Sequence, residues 1–390
     1  MSGGRTIFAQ LLDYLPMHEF NKCVARYEGN KRVKTFSCYD QFISMAFAQL
    51  TQCDSLRAIE ACFRVANRKL YHCGLRGRMT RSTLADANNR RDWRIYSEFA
   101  YALIANARDL STGEKAPADL KRDVYALDST TIDLCLAVFP WAKFRRTKAA
   151  VKMHTLLDLR GSIPSVIHVT DGKTHDVKFL DHIEPELGAI YIMDRAYNDF
   201  GRLYRFTEAD AFFVVREKRR MQSRVTGRRN VDTATGVKTD ETIALTGGQT
   251  KRKYPRELRR IDFFDEEQER TLVFLTNNFR LAPLTIAKLY KARWAVELFF
   301  KWIKQHLRVK SFYGTSINAV KSQLWIAISV YCLVAIARQE LRLVDYSMYE
   351  ILQILSFSLF EKTSILAAFR DHASTDSKVD LSNHPLLFES

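Results

Sequence analysis

Residues Leu289 to Arg308, LYKARWAVELFFKWIKQHLR, run without Gly or Pro and carry apolar residues in every turn. At about 3.6 residues per turn the stretch predicts one helix of about five turns. Tyr290, Arg293, Glu297, Lys301, Lys304 and Arg308 then fall within roughly 80° of arc and form a single polar stripe. The remaining circumference holds Ala292, Trp294, Ala295, Val296, Leu298, Phe299, Phe300, Trp302 and Ile303. Such a helix is expected to be buried on most sides, with only the stripe left open. Any fold for this chain has to build a core around it.

The stripe has one carboxylate, Glu297, among four cations and a tyrosine. An exposed Arg293, Glu297, Lys301 ladder at i, i+4 spacing would account for it at a few tenths of a kcal/mol. A lone acid in a row of bases also suits a divalent cation held beside phosphates. Tyr290, Arg293, Glu297 and Lys304 spell YxxRxxxExxxxxxK, which resembles the signature of DDE transposases of the insertion sequence 4 type. In that family the helix glutamate completes a three-carboxylate metal site. The resemblance therefore implies two aspartates at strand ends earlier in the chain.

At 390 residues the chain exceeds one ordinary core, and two or three domains are expected. A hydrophobic fraction of 47% rules out a disordered tail, and a formal charge of +16 points to a polyanion, nucleic acid before acidic membrane. The longest apolar run, Leu324 to Ala337, is shorter than a bilayer span, and the N-terminus lacks a cleavable signal pattern. A soluble, cytoplasmic, nucleoid-associated protein is expected. The seven cysteines are scattered with no CxxC, so reduced and mainly buried thiols are expected. The histidines are equally dispersed, and a carboxylate site is the better place for a metal.

Residues 1–115 read as a helical region, and the resemblance to the transposase family implies that it binds DNA. Thr6 to Leu15, Tyr39 to Leu50 and Ser55 to Asn67 have i, i+3, i+4 apolar positions, with Ser55 as a cap. Arg76, Arg78 and Arg81 lie in a Gly-containing loop, and a long helix from Ser82 to Arg108 begins on a polar half with Arg90 and Arg91. Basic turns between short helices are compatible with DNA contact and also with a solvated bundle surface.

From Asp123 the pattern turns to period two. Val124 to Leu134, Val151 to Leu159 and Ser165 to Thr170 read as a three-strand meander. A helix over His175 to Ile183, a buried strand Ala189 to Asp194, a helix Asn198 to Ala209 and a strand Ala211 to Arg216 follow. This is the order of a ribonuclease H-like core, mixed α/β, assigned here to residues 120–217 and 279–312. Asp128 ends the run VYAL and Asp194 the run IYIM. LDSTTI at Asp128 and DRAY at Asp194 to Tyr197 resemble the first two motifs of the transposase family, with Ala196 where Gly is frequent. Asp133, Asp158, Asp171 and Asp176 are acids of the same type at turns or off the expected position.

Residues 218–278 interrupt the core with a β-rich insertion carrying Arg219, Arg220, Arg228, Arg229, Lys251, Arg252 and Lys253. Strand-like pieces are Thr242 to Leu245, Arg259 to Phe264 and Thr271 to Leu275. The related enzymes use such an insertion to hold the transposon end, one of them through a tryptophan on a flipped base. Here the insertion has no Trp, leaving Tyr254, Phe263 or Phe264 to take that part. Residues 313–390 return to helices, Ile317 to Leu343, Met348 to Phe360 and Thr363 to Phe369, either a layer on the core or a dimer interface.

The resemblance implies a transposase that binds the terminal inverted repeats of an insertion sequence and cuts and joins double-stranded DNA, repeats and target alike, with no membrane partner. It implies two Mg²⁺ ions, replaceable by Mn²⁺, held by Asp128, Asp194 and Glu297. Tyr290, Arg293, Lys301, Lys304 and Arg308 would contact phosphates, and a homodimer would assemble on DNA. A nuclease of the same fold without joining activity, and an inactive DNA-binding relative, are the alternatives.

Overall fold

A computed structural model describes residues 4–75, 79–114, 116–145, 148–218, 221–306 and 312–369. It divides into two compact units, Met1–Leu103 with His306–Ser390, and Ile104–Gln305. Arg76, Arg78, Arg219, Arg220 and Arg308 lie outside the described residues.

The chain opens with α1 (Ile7–Leu12), α2 (Met17–Arg26), α3 (Cys38–Leu50) and α4 (Leu56–Leu70). Ser37 and Asp40 form a reciprocal capping box on α3, and Ser55 accepts from Ala58 N at the start of α4. The single helix expected over Ser82 to Arg108 is two, α5 (Arg81–Arg90) and α6 (Arg94–Leu110). Arg91 takes an extended backbone, and the Asp92 carboxylate accepts from Arg94 N to start the second helix. An Asp so placed stops one helix and caps the next.

The described residues of the second unit form a ten-stranded sheet. Its strands are β1 (Val124–Leu134), β2 (Lys143–Arg145), β3 (Lys148–Asp158), β4 (Ile163–Asp171), β5 (Ile190–Met193), β6 (Phe212–Arg216), β7 (Ser223–Arg228), β8 (Val237–Leu245), β9 (Leu258–Asp265) and β10 (Arg270–Thr276). Antiparallel β4, β3 and β1 are followed by β5 and β6, both in parallel register from β1 outward. That is the ribonuclease H-like order. The sheet does not stop at β6. β10, β9, β8 and β7 extend the same sheet as an antiparallel ribbon from its outer edge, so the basic insertion is continuous with the core.

Tyr125, Leu127, Tyr191, Met193, Phe213 and Val215 point to one face, where they pack with Phe179, Leu203 and Phe206 under α7 (Phe200–Glu208). The alternate residues face the other way, as the two-residue period of a strand requires. That second face carries α9 (Pro283–Ala292) and α10 (Trp294–Lys301) against β5, β6 and β1. The short α8 (Gly248–Lys253) follows β8 and carries Lys251, Arg252 and Lys253, all exposed.

The helix expected from Leu289 to Arg308 is thus segmented. It starts earlier, with Pro283 in the first turn, tightens at Arg293 and passes into a π-helical turn over Trp302–His306. Its exposure also differs from expectation. Tyr290 is buried, while Trp294 and Leu298 are 55% and 50% exposed. The reason is that α10 lies on β1 by Val296, Phe299 and Phe300, one face only.

The remaining helices, α11 (Ile317–Glu340) and α12 (Met348–Ser358), belong to the first unit. α11 is longer than its uncharged run, and by length and composition alone it is long and apolar enough to cross a membrane, which Leu324 to Ala337 by itself is not. Its most apolar stretch is 94% buried inside the protein, as in a core helix packed by α1, α3 and α5. All seven cysteines are free thiols, with Cys62 half-buried and Cys135 exposed.

Candidate active site

The face alternation that buries Leu127 and Met193 turns Asp128 and Asp194 toward the helices. Leu127 pairs with Met193 in the parallel register of β1 and β5, and the two aspartates follow where that pairing stops: Asp194 just past the end of β5, and Asp128 within β1, which runs on to Leu134 beside β3, so it is not at the strand end expected. Adjacent strands are about 4.8 Å apart. The two carboxylates therefore stand on neighbouring strands.

α9 and α10 supply the other half. The Tyr290 hydroxyl donates to Asp194 Oδ1 at 3.3 Å, and its ring packs on Phe274. Arg293 donates from Nη1 to Asp128 Oδ2 and from Nη2 to Glu297 Oε1, each at 2.6 Å. The local backbone explains the reach. Arg293 N bonds Tyr290 O and Val296 N bonds Arg293 O, three-residue turns that tighten the helix where the guanidinium descends to the sheet. Residues from β1, the end of β5 and two helical segments are brought to one point.

The electrostatics follow from burial. Asp128 is pushed up to about 6 by desolvation, opposed by Arg293 and by the Ser129 N–H, and raised further by Glu297 and Asp194. Burial would lower Arg293, but Asp128, Tyr290 and Glu297 outweigh it and hold the guanidinium charged. Burial, then Asp194, raises the Tyr290 phenol. Two carboxylates thus share one guanidinium, and the third, Asp194, is held by the Tyr290 hydroxyl.

That donor set consists of hard carboxylate oxygens with no His or Cys, which suits Mg²⁺ or Mn²⁺. Among the described residues no three acidic, His or Cys side chains stand within reach of one ion. Arg293 lies between two of the acids: it spans Asp128 and Glu297 with both terminal nitrogens and supplies the positive charge there, while its buried Nε has no partner. The residues fit a divalent cation in chemistry, and Arg293 must turn away for one to sit between them.

A family description, Transposase DDE domain, matches residues 119–333, the span that holds all three acids. The chain belongs to the DDE transposases. Residues 3–76 match a second description, a domain of unknown function termed DUF4372. Among relatives of this transposase, y4zB of Sinorhizobium fredii, named as a transposase, is 35% identical over 291 residues, 74% of this chain and 79% of that one. A Geobacillus stearothermophilus protein named for insertion sequence element IS5377 is 34% identical over 209 residues, 53% and 54% of the two chains. A solved piggyBac transposase synaptic complex with hairpin DNA aligns over 97% of this chain and 86% of that one, at 9% identity and a TM-score of 0.44, too remote to place residues. Being a DDE transposase, the chain is an enzyme of DNA cleavage and strand transfer that works with a divalent metal.

Lys301 is exposed on α10. Lys304 lies in the π-helical turn and is half-buried. Arg81, Arg90, Arg228 and Arg229 are exposed; Arg228 and Arg229 lean on Glu241 at 3.1 Å and Asp240 at 3.4 Å. Arg91 does not suit DNA contact: its guanidinium donates to Ser37 O at 2.7 Å, to Gln41 Oε1 and to Phe36 O, so its donors are spent inside the first unit. Tyr254 and Phe263 are 1% and 8% exposed core residues and cannot stack on a base. Phe264 is half-buried under the Lys238 ammonium. Asp176, set aside in the sequence as an acid off the expected position, accepts from the Ser129 hydroxyl one residue past Asp128, and Tyr197 of DRAY is buried near both.

Proposed function

We propose that this chain is the cut-and-paste transposase of an insertion sequence, binding terminal inverted repeats as a homodimer and carrying out Mg²⁺-dependent strand cleavage and strand transfer in the bacterial cytoplasm. The single observation that carries the reading is that Arg293 bonds both Asp128 and Glu297 while Tyr290, three residues before it, bonds Asp194, where the pairing of β1 with β5 stops. Asp128, Asp194 and Glu297 would hold two Mg²⁺, or Mn²⁺ in their place. When bound, such ions acidify an attacking water or 3′ hydroxyl and stabilise the leaving oxygen.

The protein groups have separate parts. Arg293, freed from the carboxylates, turns to a phosphate oxygen beside the scissile bond, where its planar fork gives bidentate contact. Tyr290 holds Asp194 in place through its hydroxyl. Lys301, Lys304 and Arg308 contact the neighbouring phosphates. Residues 1–115 recognise the transposon end, the 218–278 insertion grips its backbone through Arg228, Arg229 and the α8 cations, and residues 313–390 contribute to dimerisation.

The test is to incubate the protein with its own flanking DNA and Mg²⁺ or Mn²⁺ and map the cut strands. Asp128→Asn, Asp194→Asn and Glu297→Gln should each abolish cutting while binding to the repeats persists. Normal cleavage by any of the three removes that residue from the site; cutting without joining of 3′-ended DNA to a plasmid makes the chain a nuclease.

A further inference from the structure

A second polar cluster sits on the opposite side of β1 from the acids. Ser129, one residue past Asp128, faces away from α10, and its Oγ donates to Asp176 Oδ1 at 2.5 Å. Asp176 opens the 3-10 turn Asp176–His182 and receives the Lys152 ammonium at 3.0 Å. Lys152 also donates to Thr174 O at 2.9 Å. His154, which pairs with Ser129 across β1 and β3, lies 3.8 Å from Asp176. Its burial pulls it down to about 4, so it is neutral and contributes no charge. Ser129 is tied to the site as well, since its backbone N–H donates to Asp128 Oδ1 at 2.8 Å.

The phenol of Tyr197 from DRAY completes this layer. It is 1% exposed and lies close enough to Ser129, Asp128, Asp176 and Asp194 for each to act on it.

We propose that Asp176 is a positioning residue of the transposase reaction: through Ser129 it fixes β1 at the point where β5 ends beside it, so that the Asp128 carboxylate is presented to the helix face for metal binding. The inference rests on Asp128 being a metal ligand as read above. The logic is mechanical. One residue, Ser129, carries both the N–H that orients the Asp128 carboxylate and the hydroxyl anchored by Asp176, and Asp176 is fixed to β3 by Lys152. β3 pairs with Asp128 and Ser129 along one side of β1, and β5 has already ended on the other; loss of the Asp176 anchor removes the side-chain restraint on Ser129, and the N–H that orients the Asp128 oxygen shifts with it. Partners of this kind behind metal ligands are worth about 10- to 100-fold in metal affinity.

The experiment measures Mn²⁺-induced thermal stabilisation of the full chain without DNA, which reports binding apart from turnover. Asp176→Asn and Ser129→Ala should each raise the Mn²⁺ concentration for half the shift by about 10- to 100-fold. The double variant should be no worse than the poorer single one, as expected for groups in one chain of contacts. Ser129→Thr, which keeps the hydroxyl, should restore the wild-type half-point. Should Asp176→Asn fail to fold, the Ser129 pair carries the test alone. Wild-type half-points in the Ser129→Ala or Asp176→Asn protein, or additive losses in the double variant, overturn the proposal. Asp128→Asn separates the two levels. If it loses the Mn²⁺ shift while Asp176→Asn keeps it, only the positioning role falls. If Asp128→Asn, or the wild type itself, shows no sensitivity to the change, the metal site as read falls and this role with it.

Discussion

Replacing Arg293 by Met leaves Asp128 and Glu297 facing each other without their shared cation. The side chains of Asp128, Arg293 and Glu297 are 22%, 14% and 34% exposed. Removing one member of a buried ion pair costs about 3–5 kcal/mol. Partial exposure of Glu297 reduces this, and so does protonation of Asp128, which already sits at about 6 with the guanidinium in place. Each unit of proton uptake limits the cost at about 1.4 kcal/mol. A loss of roughly 2–3 kcal/mol in mildly alkaline buffer is the result, or about 5–10 °C in the melting of a unit this size. Mn²⁺ should reverse it. In the wild type an ion displaces the guanidinium; in the variant it does not. The Mn²⁺ concentration for half-maximal stabilisation should therefore fall roughly 30- to 150-fold at about 1.4 kcal/mol per decade, while DNA cleavage drops because the phosphate contact is gone. Thermal melting of both proteins across a Mn²⁺ series is the assay. An unchanged metal-free melting temperature, or a Mn²⁺ response no stronger than wild type, would refute the idea that Arg293 stands in for the metal's charge.

Asp128 also predicts a pH dependence. Its carboxyl is raised in the folded protein, so the native state holds the proton more tightly; this contribution is complete below about pH 4 and is lost as pH rises through about 6. The wild type should lose roughly 3 kcal/mol across that window relative to Asp128→Asn, measured as the difference between their melting curves in metal-free buffer; parallel curves would contradict it. In the insertion, Arg259 and Asp240 form a bidentate pair with both side chains 2% exposed, and Arg259 also donates to Asn278 O and Leu281 O ahead of α9. Asp240→Asn should cost about 3–5 kcal/mol and melt the protein well below wild type, because the buried guanidinium is left uncompensated. Changing Lys251, Arg252 and Lys253 together to Ala should weaken DNA binding at low salt and reduce the slope of log affinity against log salt by up to about 3; an unchanged slope would remove α8 from the DNA surface.

The ribonuclease H-like core was legible because its cues are local. Period-two runs ending in Asp at 128 and 194, tight turns at Arg160-Gly161, and the Tyr290, Arg293, Glu297, Lys304 spacing can each be seen within a short window. Helix breaks were less so. Arg91 to Trp93 has no Gly or Pro, and the split there comes from an Asp cap that competes with continuation. The segmentation at Arg293 has no sequence mark at all. It arises because the guanidinium is drawn to two carboxylates, one of them 165 residues away.

What the sequence by itself determined is the inventory: three acids at strand and helix positions, a basic surplus, and a helix rich enough in apolar residues to need a core. These depend on residue type and spacing, which the chain carries wherever it goes. Only the tertiary structure decided the pairings. It continued the insertion into the main sheet, buried Tyr254 and Phe263, spent Arg91 on carbonyls, exposed Trp294 and Leu298, and put Asp176 behind Asp128. Each of those outcomes depends on which face of an element meets a partner distant in sequence, and local pattern carries no record of that meeting.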